Sequence, residues 1–302
     1  MSSKKPWVAM YSVAGLIWGA SFLFIELALT FLAPIGVAFW RTAFGALAML
    51  ITMFIFRSKL PTSFAAWKHL TVAGIYMGSV PYVLFAYAQT QVTSALAAII
   101  NAVTPITTVI VILIAFRTEK LKAHVITGIV VGLVGVLIVL GPWQGFGSNN
   151  PIAILALLVA ITLYGIGTPY VRKNITPLKL PTEVSVFGQI GTAAITLLPF
   201  YLLSGPLFTS TPNFQSVASI VTLGALGSGV AYLLYYKILE VVGSAIASSV
   251  TYITPVIAVI LGVLLLGEEL HWYEPVGGLI VILGAAISQG SILSLFRKKA
   301  IV

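Results

Sequence analysis

The sequence predicts an all-α integral membrane protein, with ten transmembrane helices arranged as two five-helix inverted-topology repeats around a central cavity. Three observations lead to this fold class. Hydrophobic residues make up 59% of the chain and charged residues only 8%, which leaves too little polar surface for a soluble protein. The apolar residues form runs of about twenty, the length that an α-helix needs to cross the hydrocarbon. One long segment also occurs twice.

The repeated segment covers residues 94–119 and 244–269, and the two copies align without a gap. Each copy is a long apolar run with a proline near its middle. The identical pairs include Ser94/Ser244, Ala97/Ala247, Thr104/Thr254, Pro105/Pro255, Glu119/Glu269 and, further upstream, Tyr82/Tyr232. The chain therefore divides into a first unit, residues 7–145, and a second unit, residues 150–296.

The apolar runs give the predicted elements in chain order. The first run is too long for the hydrophobic region of a signal peptide and a second follows at once, so we expect it to be retained. Helices are expected because a lipid-exposed segment must satisfy its own backbone hydrogen bonds, and the alternation of a membrane β-barrel is absent. The predicted spans are residues 7–29, 34–56, 67–88, 94–116, 123–141, 151–171, 182–203, 214–236, 244–266 and 274–295.

The basic residues predict the orientation. Every Lys and Arg except Arg41 lies near a chain end or near a loop after span 2, 4, 6 or 8. Ten spans place all of these on one side, which the positive-inside rule identifies as the cytoplasm. We therefore expect a multi-pass protein of the cytoplasmic membrane with both termini in the cytoplasm. The net charge of +9 then reflects membrane orientation, and no nucleic-acid partner is expected.

The loops after the repeated segments predict that the second unit is inverted. Five spans per unit is an odd number, so the second unit must enter the membrane from the opposite side. The loop after the first copy, RTEKLK, is basic, whereas its counterpart GEELHW contains no Lys or Arg. Inverted-topology repeats are typical of secondary transporters, which bind substrate near the bilayer midplane.

Several short motifs in both units carry a resemblance to a known family. Trp18-Gly19 in span 1 is followed by Phe39 and Arg41 in span 2. Tyr164-Gly165 in span 6 is followed by Arg172-Lys173 and Phe187. Together with the segments Ser94 to Leu121 and Ser244 to Leu270, these motifs resemble the EamA-type branch of the drug/metabolite transporter superfamily over nearly the whole chain.

The resemblance implies a ten-helix basket with one central cavity. Spans 1, 3, 4, 6, 8 and 9 would line this cavity, and spans 5 and 10 would act mainly as scaffold. Characterised members of the family mostly export amino acids and related small metabolites. Glu26 departs from the family pattern, which favours Lys or an apolar residue at that position.

Pro105 and Pro255 lie at the centres of spans 4 and 9. A proline inside a helix removes a hydrogen bond and kinks the helix. In a transporter such a break can expose backbone polar groups to the substrate, so both prolines are candidates for a helix break or hinge beside the cavity. The alternative is a kink without a role in binding, since proline is fairly common in membrane helices.

Aromatic and polar residues inside the spans are the candidate substrate-binding residues. Aromatic side chains usually gather at the membrane interfaces, so aromatic residues in mid-span favour cavity lining. A buried hydroxyl or indole N–H also needs a hydrogen-bond partner. Plain helix packing and inter-helix hydrogen bonding remain the alternatives. The candidates are Trp18, Tyr82, Asn101, Tyr164, Tyr232 and Tyr252.

Glu26 and Arg41 are the ionisable residues set furthest into spans near the outer face. Charges at that depth are costly and are usually paired or functional. The two residues could form an ion pair or gate, or both could extend their charged groups to the interface. Glu26 is also the only carboxylate that lies more than one residue inside a predicted span, and hence the obvious proton carrier.

Composition separates the possible functions. The chain has no Cys and no Asp, and its three His lie at the edges of loops without metal-binding spacing. An integral-membrane enzyme therefore lacks a catalytic cluster, and neither a metal nor a cofactor is expected. A phosphate-binding loop is absent. A channel would be expected to oligomerise around a filter or charged ring. The sequence therefore favours a secondary transporter that exports amino acids or related metabolites by alternating access. The alternative is transport of drug-like compounds, nucleosides or sugar derivatives.

The expected partners are a small-molecule substrate and membrane lipid. The chain should function as a monomer, with a homodimer as the alternative.

Overall fold

The computed structural model describes residues 6–117, 122–140, 143, 150–266 and 272–288. This part of the chain is helical and contains no β-strand. The turns that contain Glu119 and Glu269 lie outside the described residues. The last residues of the two predicted units, 144–145 and 289–296, also lie outside them. The helices are α1 (Pro6–Leu29), α2 (Pro34–Phe56), α3 (Phe64–Gln89), α4 (Ser94–Phe116), α5 (Ala123–Leu140), α6 (Pro151–Leu178), α7 (Thr182–Leu203), α8 (Phe214–Val242), α9 (Ser244–Leu265) and α10 (Tyr273–Ser288).

Eight of these helices are long and apolar enough to cross a membrane, namely α1 to α4 and α6 to α9. The protein is therefore a multi-pass, all-helical membrane protein. The helices α5 and α10 contain shorter apolar stretches, Ala123–Ile138 and Pro275–Ser288. Ten crossings accordingly remain a prediction from the sequence.

The helices α5 and α10 pack against each other through backbone. A Cβ atom added to Gly128 would lie 2.3 Å from the Ser288 nitrogen, and one added to Gly284 would lie 2.4 Å from the Gly132 nitrogen. Only glycine permits so close an approach of two helices. The motif Gly128-x-x-x-Gly132 is thus a packing feature.

Helices from the two halves of the sequence interleave in the remaining bundle. The N-terminal helix α1 packs against α8 and α9, α2 packs against α7 and α8, and α6 packs against α3 and α4. The centre of the molecule is therefore enclosed jointly by helices from both halves.

The same local irregularities occur in corresponding helices of the two halves. A π-helical turn interrupts α3 at Ile75–Ser79 and α8 at Leu223–Val230. The central parts of α4 and α9 are also matched, with α-helix at Thr104–Val111 and Thr254–Leu261. The irregular stretches therefore follow the sequence repeat.

Candidate functional site

A narrow cavity of about 60 Å³ lies between helices of both halves. Its lining comes from α1, α3, α4, α6, α8 and α9, the six spans that the resemblance implies, and from one residue of α2. Aromatic side chains dominate, joined by small polar groups and a single charged side chain. The lining residues are Trp18, Ser21, Phe22, Ile25, Arg41, Met77, Tyr82, Phe85, Asn101, Thr104, Tyr164, Thr168, Tyr232, Tyr235, Ser248 and Thr251.

In α4 the helix is broken directly before Pro105. The α-helix ends at Asn101 and resumes at Thr104, because proline has no N–H for the carbonyl four residues earlier. That carbonyl belongs to Asn101 and accepts a hydrogen bond from the Thr104 hydroxyl instead, at 2.7 Å. The threonine thus satisfies the backbone group that the proline leaves free.

The break recurs in α9 with the same chemistry. Here Ser244–Ser248 is α-helical, Ser249–Tyr252 forms a 3₁₀ turn, and the α-helix resumes at Thr254. The Thr254 hydroxyl donates to the Thr251 carbonyl at 2.8 Å, which is the carbonyl four residues before Pro255. The side chains of both prolines are buried but lie outside the cavity lining. Their neighbours, among them Asn101 and Thr251, line it.

Trp18 forms one wall of the cavity together with two tyrosines of α8. Its indole ring lies 5.4 Å from the ring of Tyr232 and 5.2 Å from that of Tyr235, measured between centroids. The indole N–H donates to the Gly227 carbonyl at 2.9 Å. This carbonyl lies in the π-helical turn of α8, where the regular backbone hydrogen bonds are rearranged.

Tyr164, on α6, also lines the cavity. Its ring stacks on Phe85, with 5.9 Å between centroids. Its hydroxyl has no hydrogen-bond partner within the described residues, whereas the hydroxyl of Thr168, one turn further on, pairs with that of Tyr235 at 2.8 Å. The Tyr164 hydroxyl is therefore free to bind a solute.

Tyr82 and Tyr232 also reach the cavity, but their hydroxyls are already engaged. Tyr232 donates to the Met77 carbonyl at 2.6 Å. Tyr82 accepts a hydrogen bond from the Ser228 hydroxyl at 3.2 Å. Both residues therefore offer mainly ring surface to the cavity.

Tyr252 lies outside the cavity, contrary to the prediction. Its side chain is fully buried against α5 and α10, and its hydroxyl donates to the Ile129 carbonyl at 3.2 Å. The reason is the 3₁₀ turn, in which successive side chains are about 120° apart. Ser248 and Thr251 face the cavity, so the residue after Thr251 points away from it.

Glu26 and Arg41 form no ion pair in the structure. The Ser94 hydroxyl donates to a carboxylate oxygen of Glu26 at 3.2 Å, whereas Arg41 bonds to Ser228. Glu26 lies three residues before the end of α1, and Arg41 lies seven residues after the start of α2. At a rise of 1.5 Å per residue this is a difference in depth of about 6 Å. Arg41 thus belongs to the cavity wall, and Glu26 does not.

Sequence reasoning missed several residues of the site. Tyr235 follows Tyr232 by three positions on α8 and hence shares its face, a spacing that the run YLLYY displays. The position of Ser228 carries no such signal, because its role depends on the approach of α2. Thr168 likewise becomes recognisable only from its contact with Tyr235.

Comparison with known proteins identifies the family of the chain. The model of the EamA-like transporter family matches the chain twice, over residues 5–141 and 151–289. The chain belongs to the EamA-like transporter family.

Two relatives and a solved structure are similar to the chain over nearly its whole length. The EamA-like chain is 26% identical over 292 residues to an uncharacterized transporter of Archaeoglobus fulgidus, covering 95% of this chain and 98% of that protein. It is 25% identical over 290 residues to the uncharacterized inner membrane transporter YedA of Escherichia coli strain K12, covering 95% and 91%. A crystal structure superposes with a TM-score of 0.75 at 19% identity, covering 95% of this chain and 99% of the other. That last likeness concerns the fold alone.

Proposed function

We propose that this EamA-like protein is a secondary transporter that exports amino acids or related small metabolites across the cytoplasmic membrane by alternating access. The observation that carries the proposal is the cavity between the two halves, with broken helices α4 and α9 beside it. Transporters of this general kind bind substrate at the interface between repeats, next to discontinuous helices.

The lining supports a small amphipathic solute. Rings of Trp18, Tyr164 and Tyr235 supply apolar contact area, and Asn101 and the Tyr164 hydroxyl supply hydrogen bonds. A solute with both an apolar body and polar groups matches this mixture. A doubly charged solute matches it less well, since only one of the described lining residues carries charge.

The matched irregularities of the two halves support alternating access. An inverted repeat lets one unit adopt the conformation of the other, so that the cavity opens to either side of the membrane. Because a single chain encloses the cavity, we propose that a monomer is sufficient for transport.

Counterflow in proteoliposomes tests this function. The purified protein is reconstituted with unlabelled solute inside, and uptake of labelled solute is followed for a panel of amino acids, nucleosides and sugar derivatives. Saturable counterflow of an amino acid or a closely related metabolite is expected. Flux of only nucleosides or sugars would reassign the substrate class, and unitary conductance without counterflow would contradict a transporter.

A further inference from the structure

Arg41 is the one charged side chain among the described residues that line the cavity. It lies on α2 and is only 7% exposed. Within the described part of the chain no carboxylate lies within ion-pairing distance, and the carboxylate expected beside it, that of Glu26, interacts with Ser94. A buried arginine without an acidic partner is unusual, because burial of an uncompensated charge is strongly unfavourable.

Two neighbours fix the position of the guanidinium group. Its Nε–H donates to the Ser228 hydroxyl at 2.9 Å, and that hydroxyl donates to Tyr82 at 3.2 Å. The guanidinium carbon lies 3.8 Å from the centre of the Tyr82 ring, a cation–π contact. The side chain is therefore held by one hydrogen bond and one ring face.

The remaining donors are unused. An arginine has five N–H groups, and only the Nε–H of Arg41 has an acceptor among the described residues. The four N–H groups on its two Nη atoms form a planar fork that fits a carboxylate bidentately. A buried guanidinium with a free fork on a cavity is thus complementary to an anion.

The corresponding position in the second half carries no charge. Phe39 precedes Arg41 by two residues, and Phe187 precedes Gln189 by two residues in the matching helix α7. Gln189 is fully buried, outside the cavity lining, and accepts a hydrogen bond from Tyr236. Among the described lining residues, the one cation therefore comes from the first half of the chain. A solute with a single anionic group would be oriented by this asymmetry.

We propose that Arg41 binds the carboxylate of the transported solute through its two Nη groups, with Ser228 and Tyr82 as positioning residues. This assignment rests on the proposed transport function and specifies the chemical group that the cavity recognises. A single guanidinium neutralises a single negative charge, so monocarboxylates and zwitterions are favoured over doubly charged phosphates. The aromatic wall then contacts the remainder of the solute.

The test compares carboxylates with their neutralised counterparts. Phenylalanine, leucine and threonine, each paired with its primary amide, are used as competitors in counterflow and in thermal stabilisation of the purified protein. A charge-assisted bidentate contact predicts that an acid competes roughly tenfold to a hundredfold better than its amide in the native protein. In Arg41→Gln the acid should lose this advantage, while the amide should bind no worse than it binds the native protein.

The comparison of acid with amide distinguishes a role of Arg41 in solute binding from a role in helix packing. If Arg41 only stabilised the bundle, Arg41→Gln would weaken both competitors equally, and that result would overturn the proposal. Arg57→Gln removes one positive charge from an exposed position at the end of α2 and should leave the preference unchanged. If Arg41→Gln does not fold, Arg41→Lys keeps the charge without the planar fork and should retain a reduced preference for the acid. Ser228→Ala should reduce that preference as well.

The outcomes also distinguish this proposal from the function on which it rests. Saturable counterflow in which acid and amide compete equally would overturn the carboxylate site and leave the transporter in place. Preferred transport of a solute without a carboxylate would do the same. No saturable flux of any solute would overturn the proposed function and the carboxylate site together.

Discussion

At the scale of single residues, membership of the cavity depends on which face of its helix a side chain occupies. Tyr164 and Tyr252 illustrate this, because both are tyrosines within apolar spans. The first has a free hydroxyl at the cavity. The second is enclosed between α5 and α10, where its hydroxyl is bonded to a backbone carbonyl. The same residue type therefore lines the cavity at one position and packs into the buried core at the other.

Removal of these two hydroxyls should give opposite results. Tyr164→Phe should weaken apparent solute affinity by about two- to tenfold, the worth of one hydrogen bond, with thermal stability unchanged. Tyr252→Phe leaves the Ile129 carbonyl without its side-chain donor and should lower the unfolding free energy by about 1 kcal/mol, with affinity unchanged. Counterflow titration and thermal unfolding in detergent measure the two quantities. A loss of stability in Tyr164→Phe with native affinity would contradict its place in the site.

Trp18 should contribute most of the apolar contact. Trp18→Ala removes a large ring from the cavity wall and should cost about 1–3 kcal/mol of binding free energy, the value for burial of a large apolar side chain. This corresponds to a loss of roughly five- to hundredfold in apparent affinity. Trp18→Phe keeps a ring against Tyr232 and Tyr235 but lacks the donor to Gly227, so it should show a smaller loss. Half-saturating concentrations in counterflow measure both. Native affinity in Trp18→Ala would move the binding site elsewhere.

At the scale of elements, paired irregularities distinguish α4 and α9 from the uninterrupted helices α5 and α10. In each broken helix a proline removes a backbone hydrogen bond, and the hydroxyl of the threonine before it donates a hydrogen bond to the carbonyl that is left free. The arrangement leaves backbone of lower helical regularity beside the cavity. Conformational change should therefore be concentrated at these two breaks, whereas the glycine-mediated contact of α5 with α10 should stay fixed.

Replacement of the prolines tests whether conformational change is concentrated at the two helix breaks. Pro105→Ala and Pro255→Ala restore an N–H that can bond to the carbonyl four residues earlier, so each helix should become more continuous. We expect a transport rate several-fold below native with equal or higher thermal stability. Pro34→Ala, at the start of α2 where proline replaces no internal hydrogen bond, serves as the control. Native rates in both central variants would argue against hinges at the breaks.

At the scale of the whole molecule, the distribution of charge predicts how the bundle lies in the membrane. The turn between α2 and α3 contains the basic residues Arg57 and Lys59, and the loop between α7 and α8 has no Lys or Arg. Positive loops remain in the cytoplasm. The first loop should therefore be internal and the second external.

Cysteine labelling measures this orientation directly, since the chain contains no native Cys. Ser63→Cys and Thr211→Cys replace exposed residues in the two loops. In intact cells an impermeant thiol reagent should label Thr211→Cys and leave Ser63→Cys unmodified, and permeabilised cells should label both. Labelling of Ser63→Cys alone in intact cells would reverse the predicted topology.

The sequence by itself determined the class of the protein and part of the site. Apolar runs can be recognised from composition, because each must bury itself in lipid whatever its neighbours are. Positions such as Trp18 and Tyr164 could also be predicted, since aromatic residues in mid-span need a special environment. Tyr252 and the pairing of Glu26 with Arg41 could not be judged correctly, because helix phase and relative depth depend on turns that composition does not reveal.

The tertiary structure decided which distant residues meet. Arg41 and Ser228 are far apart in the chain but become partners where α2 crosses the π-helical turn of α8. The sequence shows an arginine within a span. Only helix packing shows that no carboxylate among the described residues pairs with it and that it lines a cavity. The physical reason is that the energy of a buried charge depends on its surroundings in three dimensions, which local sequence does not specify.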